Sequence, residues 1–315
     1  MDQSPDLDRD VDDSMRMFER AKVGSATPMT PIRPSRVILV LDGSPQDSTS
    51  IETAKTLREE FNTETLVLDA RDAAEPIDAA TEDAIQAARQ MSGARAIARG
   101  EGEAFEVILQ ALRTHDVNMV IVPCPFGRSF ERVGTDSVGT VMDVLLSRCP
   151  VPILVTRRED QVFQTCRGRV LLMAGSECDV ESRAAAWAFG LASPGAEVSL
   201  NLIVEKEHFE NVRSILEAIR PGETFDVDKL SDALAQSHTQ LHAAMNATAR
   251  EMKMSYALIP QAGELAPPHP LSDSTQQLLV MPLEVDDRFI QGFVNDRLRR
   301  SPHPLLIVPG HVIAE

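Results

Sequence analysis

The sequence predicts an α/β protein made of two tandem, doubly wound domains, each with a five-stranded parallel sheet. Three observations carry that expectation. Short apolar runs alternate with stretches of helical periodicity, the pattern of parallel strands joined by right-handed crossover helices. The same pattern starts again past residue 168. Hydrophobic residues make up 43% of the chain and aromatic ones only 4%, so the cores must be aliphatic, as in Val- and Leu-rich sheets covered by helices.

The first unit opens at Arg36. Val37–Leu41 is an apolar run of strand length, closed by the turn residues Asp42, Gly43, Ser44 and Pro45. A helix follows with Ile51, Ala54, Leu57 and Phe61 on one face. Thr65–Ala70 reads as the second strand, Ile77–Met91 as a helix and Ala94–Ala98 as the third strand. A helix over Glu103–His115, a strand at Met119–Pro123, a helix over Ser137–Arg148 and a strand at Pro152–Thr156 complete one open sheet.

The chain then repeats itself. Arg169–Ser176 echoes Arg36–Ser44, and Arg300–Val308 echoes Arg148–Val155. A repeat of that length means two domains and not a solenoid. The expected division is a disordered acidic and Pro-rich tail at 1–35, domain 1 at 36–157, a linker at 158–168 and a divergent domain 2 at 169–310. Six Asp among the first thirteen residues, then Pro28, Pro31 and Pro34 at every third position, favour extended chain in the tail and argue against a packed element. A short helix is expected over Asp12–Lys22. In the second unit, a helix at Val180–Ala192 and a strand at Glu197–Val204 precede two inserted helices near Lys206–Arg220 and Asp228–Met254. After a strand at Tyr256–Ile259, the prolines of Pro260–Pro270 replace a helix by a loop. A single continuous sheet, or two topologically unrelated halves, would count against duplication.

Charge narrows the function classes. With 48 acidic against 31 basic residues and a net charge of −17, binding to nucleic acid or to an anionic membrane is disfavoured. No stretch reaches the roughly 18 consecutive apolar residues of a membrane span. The acidic N-terminus lacks the basic start and apolar core of a signal peptide, so a cytoplasmic location is expected. Cys124, Cys149, Cys166 and Cys178 show no paired spacing and read as reduced thiols.

Three pieces of sequence together resemble the universal stress protein family. They are Val40-Leu41-Asp42-Gly43-Ser44 at the end of the first strand, the Gly127-containing loop after the fourth, and the closing run from Cys149 to Val155. The resemblance covers most of Arg36–Arg157 and, more loosely, Arg169–Pro309. It implies the adenine nucleotide α-hydrolase-like (HUP-type) fold and a role in stress regulation rather than catalysis. Members of that family pair through their last strands. A tandem chain could form the pairing internally, as a pseudo-dimer with Ile153–Val155 against Leu305–Val308, and could still form a further homodimer.

In the nucleotide-binding branch of the family, an aspartate at the end of strand one holds the adenosine. A Gly-x-x-Gly, nine residues, Gly-Ser/Thr loop wraps the phosphates, because small residues and a helix N-terminus present N–H groups to an anion. The resemblance places Asp42, Gly43 and Ser44 in the first part, Ala70 where the second strand's backbone meets adenine, and Gly127, Ser137 and Val138 in the phosphate loop. Cys124 replaces the first glycine, Asp136 replaces the glycine before Ser137, and the spacing is one residue short. Gly134 and Thr135 offer a much shorter substitute. Asp136 is well placed to cap a helix starting at Ser137, where its carboxylate would take the N–H groups a phosphate needs. Domain 1 is thus a candidate site for ATP or AMP, with adenosine or a monophosphate favoured over the triphosphate. In domain 2, Ala174 replaces the aspartate and Met281–Asp287 has three acids and no glycine, so no phosphate site is expected there.

Other constellations are weaker. His238 and His242 are spaced i, i+4 without a third ligand or a metalloprotease glutamate, and read as packed or solvated. Cys124 is either a redox-sensitive thiol or a buried cysteine at a strand end. Ser44 and Ser176 lack a nucleophile elbow. Asp42–Thr49 faintly resembles the pyrophosphate loop of ATP-dependent adenylating enzymes, and Trp187 reads as core or interdomain packing. The expected function is a non-enzymatic stress-response scaffold with a degenerate nucleotide pocket in domain 1, acting through an unidentified protein partner. The alternatives are an ATP- or AMP-binding switch and, remotely, an adenylating enzyme.

Overall fold

The computed structural model describes residues 26–71, 79–91, 93–133, 137–158, 162–175, 179–204, 238–262, 276–284, 288–301 and 303–310. The expected helices at 12–22 and 206–220, residues 228–237 of the helix expected over 228–254, and most of the Pro-rich loop lie outside the described residues.

The first half runs β1 (Arg36–Leu41), α1 (Asp47–Phe61), β2 (Glu64–Asp69), α2 (Ala79–Gln90), β3 (Ala94–Ile97), α3 (Ala104–Thr114), β4 (Met119–Pro123), α4 (Phe130–Val133), α5 (Thr140–Arg148) and β5 (Ile153–Thr156). After α6 (Phe163–Cys166), the second half runs β6 (Arg169–Ala174), α7 (Asp179–Leu191), β7 (Glu197–Val204), α8 (Thr239–Met252), β8 (Ser255–Ala262), β9 (Leu278–Leu283), α9 (Arg288–Arg300) and β10 (Leu305–Pro309). Alternation along β1 shows why the sheet is covered twice. Val37, Leu39 and Leu41 enter one apolar core with α1 and α7, whereas Ile38 and Val40 enter the other with α3, α5 and α9.

The strand order is β3-β2-β1-β4-β5-β10-β9-β6-β7-β8. Each half therefore has the order 3-2-1-4-5, and every pairing within a half is parallel. The halves join where β10 lies antiparallel to β5, with Leu305, Leu306 and Ile307 opposite Val155, Leu154 and Ile153. The sheet is thus continuous through the seam where the last strands are expected to pair, Ile153–Val155 against the strand at Leu305. The criterion that a single continuous sheet counts against duplication fails here, because pairing the two last strands merges two like sheets into one. The repeated order and the reversed direction at the seam are the marks of two like units.

Three expectations are corrected. Residues 26–35 are extended, as the prolines require, but they are packed: Met29 and Ile32 lie against the α1–α7 core. Within the expected linker, Phe163, Cys166 and Arg167 are buried. Finally, β8 continues through Pro260 to Ala262, paired with β7 as far as Val204.

Candidate functional site

In each half the chain leaves the first strand toward one neighbour and returns to the other, so a crevice opens at the carboxyl ends of β1 and β4. Asp42 and Gly127 border it. The Asp42 carboxylate is 6% exposed. Its Oδ1 accepts the Ser44 N–H at 2.8 Å and its Oδ2 accepts the Gly127 N–H at 2.6 Å. Gly127 has φ +67, in the left-handed region that glycine enters freely. The loop after β4 is thereby tied to the turn after β1. Gln46 adds a second tie, its Nε2 donating to Arg128 O at 3.0 Å.

A residue that the sequence reading missed completes the arrangement. Asp47, in the first turn of α1 and 2% exposed, accepts the N–H of Asp42 on Oδ1 at 3.1 Å and that of Gly43 on Oδ2 at 2.9 Å. It lies beside the Asp42 side chain, and the two carboxyls act on each other. Burial, and then the Asp42 charge, push the Asp47 carboxyl up to about 8, and burial raises Asp42 as well. Two buried carboxyls in contact cannot both ionise cheaply, so the pair holds a proton. The only signal for Asp47 in the sequence is an acid at a helix start, a common surface feature.

Asp42, Gly43, Ser44 and Gly127 are therefore brought together as expected, but they bond to one another. Ala70 is buried and gives its N–H to Leu41 O at 3.0 Å. Ser137 is exposed, with its Oγ accepting the Gly139 N–H at 3.0 Å. Val138 is buried, and its carbonyl accepts from Cys124 Sγ at 3.6 Å. The helix expected from Ser137 begins at Thr140, with Gly139 at φ +83 as its N-cap. The capping role expected of Asp136 is corrected accordingly: Gly139 can turn the chain into the helix without a side chain. Asp136, Gly134 and Thr135 lie outside the described residues.

Beside the crevice, Cys124 is fully buried and its thiol is pushed up to about 12 by burial, the reverse of a reactive cysteine. Arg157, directly after β5, is also fully buried. It donates to Leu298 O in α9 and lies 5.0 Å above the Phe130 ring, tying α4 of the first half to the second half.

The corresponding crevice of the second half is different. Val37 pairs with Met119 and Val170 with Leu278, which puts Ala174 in the place of Leu41 and Gly175 in the place of Asp42. The aspartate is missing from the turn rather than replaced by Ala174. The brace survives, since Gly175 donates its N–H to Glu181 Oε1 at 2.9 Å, as Asp42 does to Asp47. The crevice itself is a small apolar hollow lined by Met173, Met281, Pro282, Ile290 and Phe293. His238 Nε2 lies 3.8 Å from Glu181 Oε2, whereas His242 Nδ1 is 2.9 Å from the Tyr256 hydroxyl, so the two histidines serve different partners. Trp187 is core.

No protein-family model and no curated protein matches the chain. Solved structures do. A universal stress protein from Archaeoglobus fulgidus DSM 4304 aligns with a TM-score of 0.56 at 14% identity, over 87% of this chain and 98% of its own. A functionally unknown protein from Pseudomonas aeruginosa PAO1 gives 0.55 at 11%, over 88% and 92%. A putative universal stress protein from Pseudomonas aeruginosa UCBPP-PA14 gives 0.55 at 12%, over 88% and 93%. At these identities the likeness establishes the fold. No helix among the described residues is long and apolar enough to cross a membrane.

Proposed function

We propose, from the fold this chain shares with universal stress proteins, that it is a regulatory stress-response protein acting through a protein partner and not an enzyme. The first half, 36–157, keeps the outline of an adenine-nucleotide pocket without its phosphate grip. The second, 169–310, serves as a built-in dimer partner with no nucleotide site, which makes the chain a pseudo-dimer. One observation carries this reading: the Gly127 N–H, the group that a bound phosphate would use, is already taken by Asp42 at 2.6 Å. A phosphate arriving there would lose that donor and meet the negative charge of the buried Asp42–Asp47 pair.

The test is calorimetry of the full chain with ATP, ADP, AMP and adenosine. Binding of ATP is expected to be weaker than about 1 mM in Kd. Asp42→Ala frees the Gly127 and Ser44 N–H groups and removes a negative charge, so ATP binding should strengthen by about tenfold or more. A micromolar Kd for ATP that Asp42→Ala abolishes would make Asp42 a ligand-holding residue. The chain would then be an ATP-binding switch of the same fold.

A further inference from the structure

The segment before β1 is held more elaborately than a lead-in requires. Pro28, Pro31 and Pro34 have no N–H and fix φ, which keeps the chain extended with about three residues per turn. That period puts Met29 and Ile32 on one side, and both pack against the core. Their N–H groups do the bonding. Ile32 donates to Ala186 O of α7 at 3.0 Å, and Met29 donates to Thr248 Oγ1 of α8 at 2.8 Å. The Thr248 hydroxyl gives its own proton to Ala244 O at 2.7 Å, which leaves its oxygen free to accept.

Gly190 is the decisive residue of this seat. A Cβ placed on it would stand 1.6 Å from Ile32 O and 2.5 Å from Ile32 C. Here the missing side chain lets a second backbone lie directly on α7. Ala186 and Gly190 share a helix face at i, i+4 and form the floor. The other end of the segment belongs to the first half: Pro34 O accepts from Thr63 Oγ1 at 2.9 Å, Arg33 O from Asn118 Nδ2 at 2.9 Å, and Asn118 Oδ1 accepts the Ser35 N–H at 3.0 Å.

We propose that α7 and α8 form a peptide-binding groove, selective for an extended, proline-punctuated segment with apolar anchors three residues apart. Its resident ligand is residues 26–35 of the same chain, which clasp the second half to the first. The contacts are main-chain hydrogen bonds plus two apolar side chains, made by a segment that its prolines already hold extended. This proposal is independent of any nucleotide.

The experiment uses the full chain. Met29→Ser with Ile32→Ser removes both anchors and loosens the clasp. A labelled peptide of residues 26–35, followed by fluorescence anisotropy, is expected to bind that variant about tenfold or more tighter than the parent, whose groove is filled. Adding Gly190→Val to the loosened variant is expected to abolish peptide binding. In the otherwise unaltered chain, Gly190→Val should speed amide exchange at Met29 and Ile32 by about tenfold or more while β1 amides stay protected. Thr248→Val, which removes only one hydroxyl, should speed exchange at Met29 and provides the same test if the valine at position 190 prevents folding. Equal peptide binding by parent and loosened variant, absence of binding by both, or unchanged exchange at Met29 in Thr248→Val would overturn the proposal.

Discussion

At the scale of single residues, the crevice of the first half is governed by where a proton sits. Asp42 and Asp47 together accept four backbone N–H groups at 2.6–3.1 Å, an environment that favours one ionised carboxylate. Their burial and contact disfavour a second. An acid whose pKa is higher in the folded state than in the unfolded one takes up a proton on folding. Its contribution to stability is therefore complete below the ordinary carboxylate value of 3.8 and is lost as pH rises toward about 8. Urea unfolding of the parent should show stability falling across that window with a slope of up to about 1.4 kcal/mol per pH unit from this site. Asp47→Asn cannot titrate, so it should flatten the slope even though the Gly43 N–H loses an acceptor and overall stability drops. An unchanged slope would mean that the pair is not the titrating unit. The same burial makes Cys124 inert: in a Cys178→Ser chain, no thiol should react with Ellman's reagent at pH near 8 until the protein is unfolded, because Cys124, Cys149 and Cys166 are all buried.

Between elements, the stretches that read as connections are the ones that fasten the halves. Arg167, in the expected linker and 2% exposed, donates from Nε to Leu191 O at the end of α7 at 2.8 Å. Its Nη1 lies 3.1 Å from Glu60 Oε2 of α1, and its guanidinium lies 4.9 Å above the Phe61 ring. Arg167 holds the Glu60 carboxyl below its usual range. Arg167→Ala should cost about 2–4 kcal/mol in denaturant unfolding, since it strands a helix-end carbonyl as well as removing the ion pair. Arg167→Lys should recover little of it, lacking the fork that reaches both partners. A loss under about 0.5 kcal/mol would show the contact to be idle. Such roles are hard to read from sequence. Periodicity places Met119–Pro123 and Glu197–Val204 where the strands are, because a strand's burial is written in its own residues. The spacing of Pro28, Pro31 and Pro34 dictates an extended shape but is silent on what the shape lies against. That depends on Gly190 and Thr248, more than 150 residues away. The start of α5 is misread for the opposite reason: the capping preference of Asp136 is local, and the positive φ of Gly139 overrides it. Asp42 and Gly127 are legible as a pair, yet nothing in a linear motif tells whether they hold a ligand or each other.

For the whole molecule the question is whether two like units behave as one. Among the described residues, the ties between them include the β5–β10 seam, Arg157 to Leu298 O, Arg167 between Glu60 and Leu191 O, and the segment clasped by α7 and α8. The seam is short, with three residue pairs, but each side of it is fully enclosed: Leu154, Leu305, Leu306 and Ile307 have no exposed surface. Separating the halves would bare two apolar edge strands, which favours all-or-none unfolding. Trp187, the one tryptophan of the chain, sits in α7 and reports on the second half, whereas far-UV circular dichroism reports on both. The two signals should therefore fall together in urea in the parent. Leu306→Asp puts an unpaired carboxylate into the seam, at a cost of several kcal/mol. Its tryptophan transition should move to lower urea and its dichroism should split into two steps, the second belonging to the first half. If tryptophan fluorescence and dichroism already part in the parent, the halves unfold independently, and the continuous sheet is only a docking of two self-sufficient domains.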